Sequence, residues 1–266
     1  MSLRVGVVGA TGKMGRVVCA QVLEDPALEL VAAVARSNAG APFDTYVGRS
    51  TGLPVSDRRE ALLEARAQVA VDFTHPDAVL ANARWYLEHG LHAVVGTTGL
   101  GPDDVEALRA LAEKNGTNAV VAPDFSFGGA VLLHIARIAA RHFPYVELLE
   151  THLPSKAEAP SGTTMNTARE LAKVRPSPSP VVTSRELAPG VRGGEVAGIR
   201  VHSLRLPGPP GIEEIRLARA GELLTISLAA YDRAPFANGA VLAIKAVASR
   251  PGLTYGLGPL LDLDGD

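Results

Sequence analysis

Leu3-Arg4-Val5-Gly6-Val7-Val8, running into Gly9-Ala10-Thr11-Gly12-Lys13-Met14-Gly15, is the stretch on which the fold turns. A short, largely apolar run that ends at a glycine reads as a strand buried on both faces. The glycines then feed Arg16 to Leu23, a helical pattern stopped near Asp25-Pro26. Strand, glycine turn and helix in that order leave backbone amides free at a helix start. Together with the missing side chains, this lets a pyrophosphate approach the backbone of Gly9, Ala10, Thr11, Gly12, Lys13 and Met14. The spacing is Gly-x-x-Gly-x-x-Gly, and a plain packing turn between strand and helix would use the same letters. The position of the turn, directly after the first strand, favours the phosphate site.

Outward from that unit the alternation continues. Leu28 to Ala35 is a second apolar strand, followed by a helix at about Arg59 to Ala65, a strand at Val69 to Phe73 and a helix after Pro76. Ala93 to Val95, Asp103 to Lys114 and Ala119 to Ala122 read as strand, helix and strand. Near-continuous apolar strands separated by helices predict an α/β fold, a Rossmann-like doubly wound parallel sheet covered on both faces. Past Pro123 the texture changes. Gly128 to Arg141 reads as helix, Val146 to Glu150 as strand and Thr163 to about Lys173 as helix. Arg175 to Pro180 is a proline-dense connection, unsuited to helix or central strand. Gly198 to Leu206, Ile212 to Arg219 and Leu223 to Ala230 are strands whose short links predict an antiparallel sheet, and Phe236 to Ser249 is a helix. The second unit is expected to be α+β.

With 266 residues and 47% hydrophobic content, the chain can bury a core in each of two units. A net charge of −2 provides no basic field to draw nucleic acid or a membrane surface. Cys19 is the sole cysteine, which rules out an internal disulfide framework and a cysteine-based zinc site. It falls within the first helix pattern, as a packed residue rather than a nucleophile. The seven histidines show no metal-binding spacing, so no metal is expected. No signal-like segment precedes the first strand, and apolar runs such as Leu30 to Ala35 are too short to span a bilayer. A cytoplasmic location is the expectation.

Further strand ends carry unusual loops: Asp72-Phe73-Thr74, Gly96-Thr97-Thr98-Gly99 and Ala122-Pro123-Asp124-Phe125-Ser126. In an open parallel sheet the loops beyond the strand C-termini line the ligand crevice, and small residues there suit a nicotinamide and its ribose. After the second strand, Ala35 offers no carboxylate for ribose hydroxyls, while Arg36 offers a cation. That favours a 2′-phosphate, hence NADPH over NADH; a solvated loop arginine is the bland alternative.

The other informative stretch is Glu150-Thr-His-Leu-Pro-Ser-Lys-Ala-Glu-Ala-Pro-Ser-Gly-Thr163. It sets the imidazole of His152 before the ammonium of Lys156, and a Pro160-Ser161-Gly162-Thr163 turn then starts a helix. The Gly162 and Thr163 amides can hold a carboxylate, Lys156 adds charge and His152 can move a proton near neutral pH. A strand end, a surface lysine and an N-capped helix would read the same way in isolation. Ser161 lacks the Gly-x-Ser-x-Gly context of a nucleophile elbow.

Taken together, these motifs and Phe236-Ala237-Asn238-Gly239-Ala240 closely resemble the 4-hydroxy-tetrahydrodipicolinate reductase (dihydrodipicolinate reductase) family of lysine and diaminopimelate biosynthesis, over nearly the whole chain. The resemblance implies an NAD(P)H-dependent reductase of a small dicarboxylate. It assigns His152 and Lys156 as proton donors and Lys156, Ser161, Gly162 and Thr163 to the substrate. Gly9 to Met14, Arg36, Gly96, Thr97, Thr98 and Ala122, Pro123, Asp124 and Phe125 become cofactor contacts. It further implies a dinucleotide-binding domain of residues 1–122 and 234–266, a substrate-binding and oligomerisation domain of residues 123–233, and a homotetramer. Four positions depart from the family pattern. Leu153 stands where a second histidine is usual, Glu158 for an aspartate, Asp124 for an asparagine, and Pro207 to Glu213 for a Gly-Asp-x-x-Gly-Glu-His turn. Two other readings stay open: another dehydrogenase on the same fold, and a dinucleotide sensor without turnover, for which Leu153 and Asp124 speak.

Overall fold

The protein, seen as a computed structural model, is described over residues 2–175 and 185–263. In chain order the elements are β1 (Leu3–Val8), α1 (Lys13–Glu24), β2 (Leu28–Val34), α2 (Asp44–Val47), β3 (Val55–Ser56), α3 (Ala61–Glu64), β4 (Val69–Asp72), α4 (Pro76–Glu88), β5 (His92–Val95), α5 (Pro102–Asn115) and β6 (Asn118–Val121). There follow α6 (Phe127–Ala140), β7 (Tyr145–His152), α7 (Gly162–Val174), β8 (Gly194–Val196), β9 (Ile199–Arg205), β10 (Gly211–Arg219), β11 (Glu222–Ala230), α8 (Ala234–Val247) and β12 (Gly252–Tyr255). The chain divides into two compact units, one of Met1–Phe127 with Ala234–Gly265 and one of Gly128–Arg233.

The first unit is a seven-stranded sheet of order β12-β6-β5-β4-β1-β2-β3, and every pairing in it is parallel. This is the Rossmann-like arrangement that the apolar strands predict. Because neighbouring strand residues face opposite ways, one set (Ala70, Ala93, Val95, Val121) packs with Val79, Tyr86 and Leu108 of α4 and α5. On the other face α8 packs against β5, β6 and α1. Local chemistry fixes the helix ends. α4 starts on a His75 cap with Pro76 in its first turn, and α5 on Gly101-Pro102 with the Asp104 carboxylate accepting the Gly101 amide at 2.9 Å. α1 stops at Asp25, before Pro26. The strand order reverses between β1 and β4, and an open α/β sheet binds its ligand at such a switch point.

In the second unit the five-stranded sheet has the order β11-β10-β7-β9-β8. Apolar residues of α6 and α7 (Leu132, Ala136, Leu171) cover Val146, Leu148, Val201, Ile215 and Leu217 on one of its faces. The expected antiparallel sheet needs correction here. β10–β11, β7–β10 and β8–β9 are antiparallel, but β7 runs parallel to β9. β7 inserts between β9 and β10, so two strands consecutive in sequence are not neighbours. β7 also runs through His152 instead of ending at Glu150, and the helix expected at Arg59 to Ala65 is only the single turn α3. The short elements α2, β3, β8 and β12 carry no sequence pattern long enough to read. Arg175 closes α7 in an extended conformation, and residues 176–180 of the proline-dense connection lie outside the described residues.

Candidate active site

In the first unit the glycine turn hangs from the sheet by the Gly9 and Ala10 amides, which both donate to the Val34 carbonyl, at 2.8 and 3.0 Å. Gly9 has φ +83°, and a Cβ there would lie 2.1 Å from the Phe73 carbonyl oxygen. At Gly15 a Cβ would lie 2.1 Å from the Gly9 carbonyl oxygen, so the helix can start this close to the turn only with glycine. Gly12 caps α1 without a side-chain bond, which leaves the first-turn amides of Lys13, Met14 and Gly15 for a ligand. The bare backbone and uncapped helix start fit a dinucleotide pyrophosphate. The Arg16 guanidinium folds back onto the Thr11 carbonyl at 2.8 Å, while Arg36 is exposed beyond β2.

The other residues expected at the cofactor lie at the C-terminal ends of β4, β5 and β6, and one buried carboxyl ties the loops after β4 and β5 together. Asp72 is 0% exposed. Its Oδ1 accepts from the Thr74 hydroxyl at 2.7 Å, the Thr97 hydroxyl at 2.7 Å and the Thr74 amide at 3.1 Å, and its Oδ2 from Tyr86 at 2.7 Å and Asn82 at 3.0 Å. The Thr97 hydroxyl also accepts from the Thr74 amide at 2.7 Å, so its side chain is committed to holding two loops together. Gly96 leaves room for Phe73, whose ring would lie 2.2 Å from a Cβ there, and Phe73 in turn meets Phe125 at 5.9 Å between centroids. Ala122 donates its amide to the Val95 carbonyl at 3.0 Å. Asp124 accepts from the Ser126 amide at 2.7 Å; burial pushes its carboxyl up to about 6, a rise that this hydrogen bond limits.

The second unit brings His152, the loop of Lys156 and the Ser161 turn onto one carboxylate, Glu150, which is fully buried. Its Oε2 accepts from the Ser161 amide at 2.9 Å and the Thr164 hydroxyl at 3.1 Å, and lies 3.4 Å from His152 Nδ1. Its Oε1 pairs with Arg205 at 3.1 Å. Arg205 also donates to the carbonyls of Lys156, at 3.3 Å, and Glu158. Burial alone would raise Glu150. Hydrogen bonds from the Ser161 hydroxyl and amide and from Ser203, with His152 alongside, bring it down to about 2. His152 is held below its ordinary value by burial; Glu150 pulls it up, and Lys156 and Arg205 push it down. Ser161 caps α7 by accepting the Thr164 amide at 3.2 Å, while the Gly162 and Thr163 amides find no acceptor among the described residues. The Lys156 ammonium pairs with Glu158 at 3.2 Å, about a third exposed. An imidazole, an ammonium and two open amides suit a substrate with carboxylates and a proton to receive.

Two family descriptions match the chain: "Dihydrodipicolinate reductase, N-terminus" over residues 3–125 and "Dihydrodipicolinate reductase, C-terminus" over residues 128–261. The chain belongs to the dihydrodipicolinate reductase family. It is 42% identical to the 4-hydroxy-tetrahydrodipicolinate reductase of Nocardia farcinica over 99% of this chain and 100% of that one. With the enzyme of that name from Mycolicibacterium vanbaalenii it is 40% identical over 98% of this chain and 100% of that one. A dipicolinate-bound dihydrodipicolinate reductase from Paenisporosarcina sp. TG-14 superposes with a TM-score of 0.79 at 31% identity, covering 97% of this chain and 99% of that one.

In this member of the family, sequence reasoning missed Asp72, Glu150 and Arg205 as organisers. Glu150 had a signal. It lies two residues before His152, on the same face of an apolar strand, where an unsupported carboxylate is costly. Asp72 likewise ends an apolar run. Arg205 had none, because its place opposite His152 arises from the parallel β7–β9 register. Among the described residues no group of side chains could hold a metal ion, and no helix is long and apolar enough to cross a membrane.

Proposed function

We propose that the protein reduces 4-hydroxy-tetrahydrodipicolinate to tetrahydrodipicolinate with NADPH in preference to NADH, through His152 and Lys156. As a member of its family it is a pyridine-nucleotide-dependent oxidoreductase of lysine and diaminopimelate biosynthesis. The observation that carries the reading is the second unit's set of His152, Lys156 and the open Gly162 and Thr163 amides around buried Glu150. In this reading residues 123–233 bind the substrate and assemble a homotetramer, residues 1–122 and 234–266 bind the dinucleotide, and the protein works in the cytoplasm.

The reduced nicotinamide, when bound, supplies the hydride. The chain's own residues do the rest. Gly9 to Met14 hold the pyrophosphate on bare backbone and a helix start, and Gly96, Thr97, Thr98 and Ala122 to Phe125 shape the nicotinamide end through their backbone. Ser161, Gly162, Thr163 and Lys156 hold a substrate carboxylate; Lys156 exchanges Glu158 for it. As water leaves and the ring is reduced, charge left on the substrate is quenched by a proton from His152 Nε2, with Lys156 assisting. Arg36, exposed beyond β2 where Ala35 offers no carboxylate, pairs with the 2′-phosphate.

A coupled assay with freshly prepared substrate and each cofactor tests this. The expected result is turnover, with kcat/KM for NADPH higher by roughly tenfold, the equivalent of one contact of about 1.4 kcal/mol. Arg36→Ala should erase most of that difference while sparing NADH. Equal or better use of NADH would overturn the preference alone; cofactor binding without turnover would overturn the reductase.

A further inference from the structure

We propose that Glu150 is the positioning residue for the proton transfer: it holds His152 with hydrogen on Nδ1 and turns Nε2 to the substrate. The inference rests on the reading of His152 as proton donor. Nδ1 is buried and makes no hydrogen bond among the described residues; the carboxylate beside it is that of Glu150, with Oε2 at 3.4 Å. A buried ring nitrogen needs a partner, and a carboxylate held near 2 only accepts. The proton therefore belongs on Nδ1, and Nε2 is left as the nitrogen that gives up a proton and takes one back. Nε2 has open backbone beside it, since a Cβ on Gly211 would approach it to 3.3 Å.

The same carboxylate places the other groups. Oε2 takes the Ser161 amide and Thr164 hydroxyl, and so sets the start of α7 where Gly162 and Thr163 present their amides. Oε1 takes Arg205, whose other donors hold the Lys156 and Glu158 carbonyls. One buried charge thus aligns acid, ammonium loop and carboxylate turn. The charged groups acting on His152 are Glu150 on its own strand, Lys156 on the following loop, itself paired with Glu158, and Arg205 on β9; Glu213 of β10 pairs in register with Glu150, and Ser161 and Thr164 at the start of α7 are neutral. Of these, Glu150 is the carboxylate in contact with the ring, and it opposes the two cations. Without its charge the imidazolium loses its main support.

Nitrogen-15 NMR of histidine-labelled protein, without cofactor, tests the idea; His152→Gln identifies the resonances. In the unaltered protein at high pH we expect the Nδ1-protonated tautomer. Glu150→Gln keeps the shape but not the charge. It should lower the His152 titration by about one pH unit or more, as loss of an adjacent opposite charge does. The fall of kcat/KM with rising pH should move by the same amount, about tenfold in rate beyond it, while cofactor KM stays unchanged. An Nε2-protonated tautomer, or an unmoved titration in Glu150→Gln, would overturn the proposal. The tautomer in the unaltered protein decides the matter if Glu150→Gln does not fold. Near-normal kcat in His152→Gln would instead remove the proton-donor reading, a result distinct from either NMR outcome.

Discussion

His152 and Asp124 show how burial sets what a single side chain can do. His152 is kept below its ordinary value by burial, so the free protein holds it largely neutral at pH 7, and a bound dicarboxylate favours its charged form. Removing the imidazole in His152→Gln should lower kcat by roughly 10²- to 10⁴-fold, the span for general acid–base groups, with cofactor affinity unchanged. A variant with near-normal kcat would remove the assignment. Asp124 has the opposite sense. Its folded value of about 6 lies above the ordinary 3.8, so it contributes stability below about pH 4 and loses that contribution as pH rises through 6. An asparagine side chain could still accept the Ser126 amide without carrying a buried charge. Asp124→Asn should therefore raise Tm at pH 8 by a few degrees, roughly 1 kcal/mol after discounting for partial exposure, and leave it unchanged at pH 4. Equal shifts at both pH values would show that the carboxylate's charge is not the cause.

Among the elements, α8 carries the sharpest constraint. A Cβ on Gly239 would stand 1.8 Å from the Phe125 carbonyl oxygen, and that oxygen is fixed backbone. Gly239→Ala gains up to about 1 kcal/mol of helix propensity, but the overlap costs about 1–3 kcal/mol and displaces the Phe125 loop, proposed above to shape the nicotinamide end. The expected outcome is a lower Tm and weaker dinucleotide binding by calorimetry. Gly128→Ala, which meets only the flexible Leu228 side chain at 2.6 Å, should be milder. The same contrast between local and distant causes explains what the sequence makes legible. β1, the glycine turn and α1 are read from adjacent residues because strand, turn and cap are decided within a few positions. Likewise the Ser161 cap of α7 is written in its own four letters. The parallel pairing of β7 with β9 depends on partners far along the chain, and no periodicity records it. β12, four residues between Pro251 and Gly256, is too short to show a pattern. Glu150 was in plain view, but its role becomes visible only once Arg205 and Ser161 are folded onto it.

For the molecule as a whole, Glu150 shapes the response to acid. Its folded value of about 2 lies below the ordinary 4.5, so its contribution is present above about pH 4.5 and lost as pH falls towards 2. The upper bound is about 3.5 kcal/mol at about 1.4 kcal/mol per pH unit. Asp25, Asp44 and Glu147 shift in the same direction. Urea midpoints measured from pH 6 to pH 2.5 should fall steeply below pH 4.5 in the unaltered protein and more shallowly in Glu150→Gln; parallel curves would place the acid sensitivity elsewhere. The discontinuity of the first unit has a further consequence, for synthesis. During translation residues 128–233 emerge as one continuous stretch, able to form their sheet at once. The edge of β6, the carbonyl of Phe125 and the apolar face under α8 must wait, because β12 and α8 come from the last stretch of the chain. Closing so long an intervening loop adds only slowly to the entropy cost, so the delay is one of timing rather than stability. A nascent chain that has left the ribosome as far as Arg233 holds a finished second unit and a parallel sheet with an open edge, a state in which a nascent chain needs a chaperone.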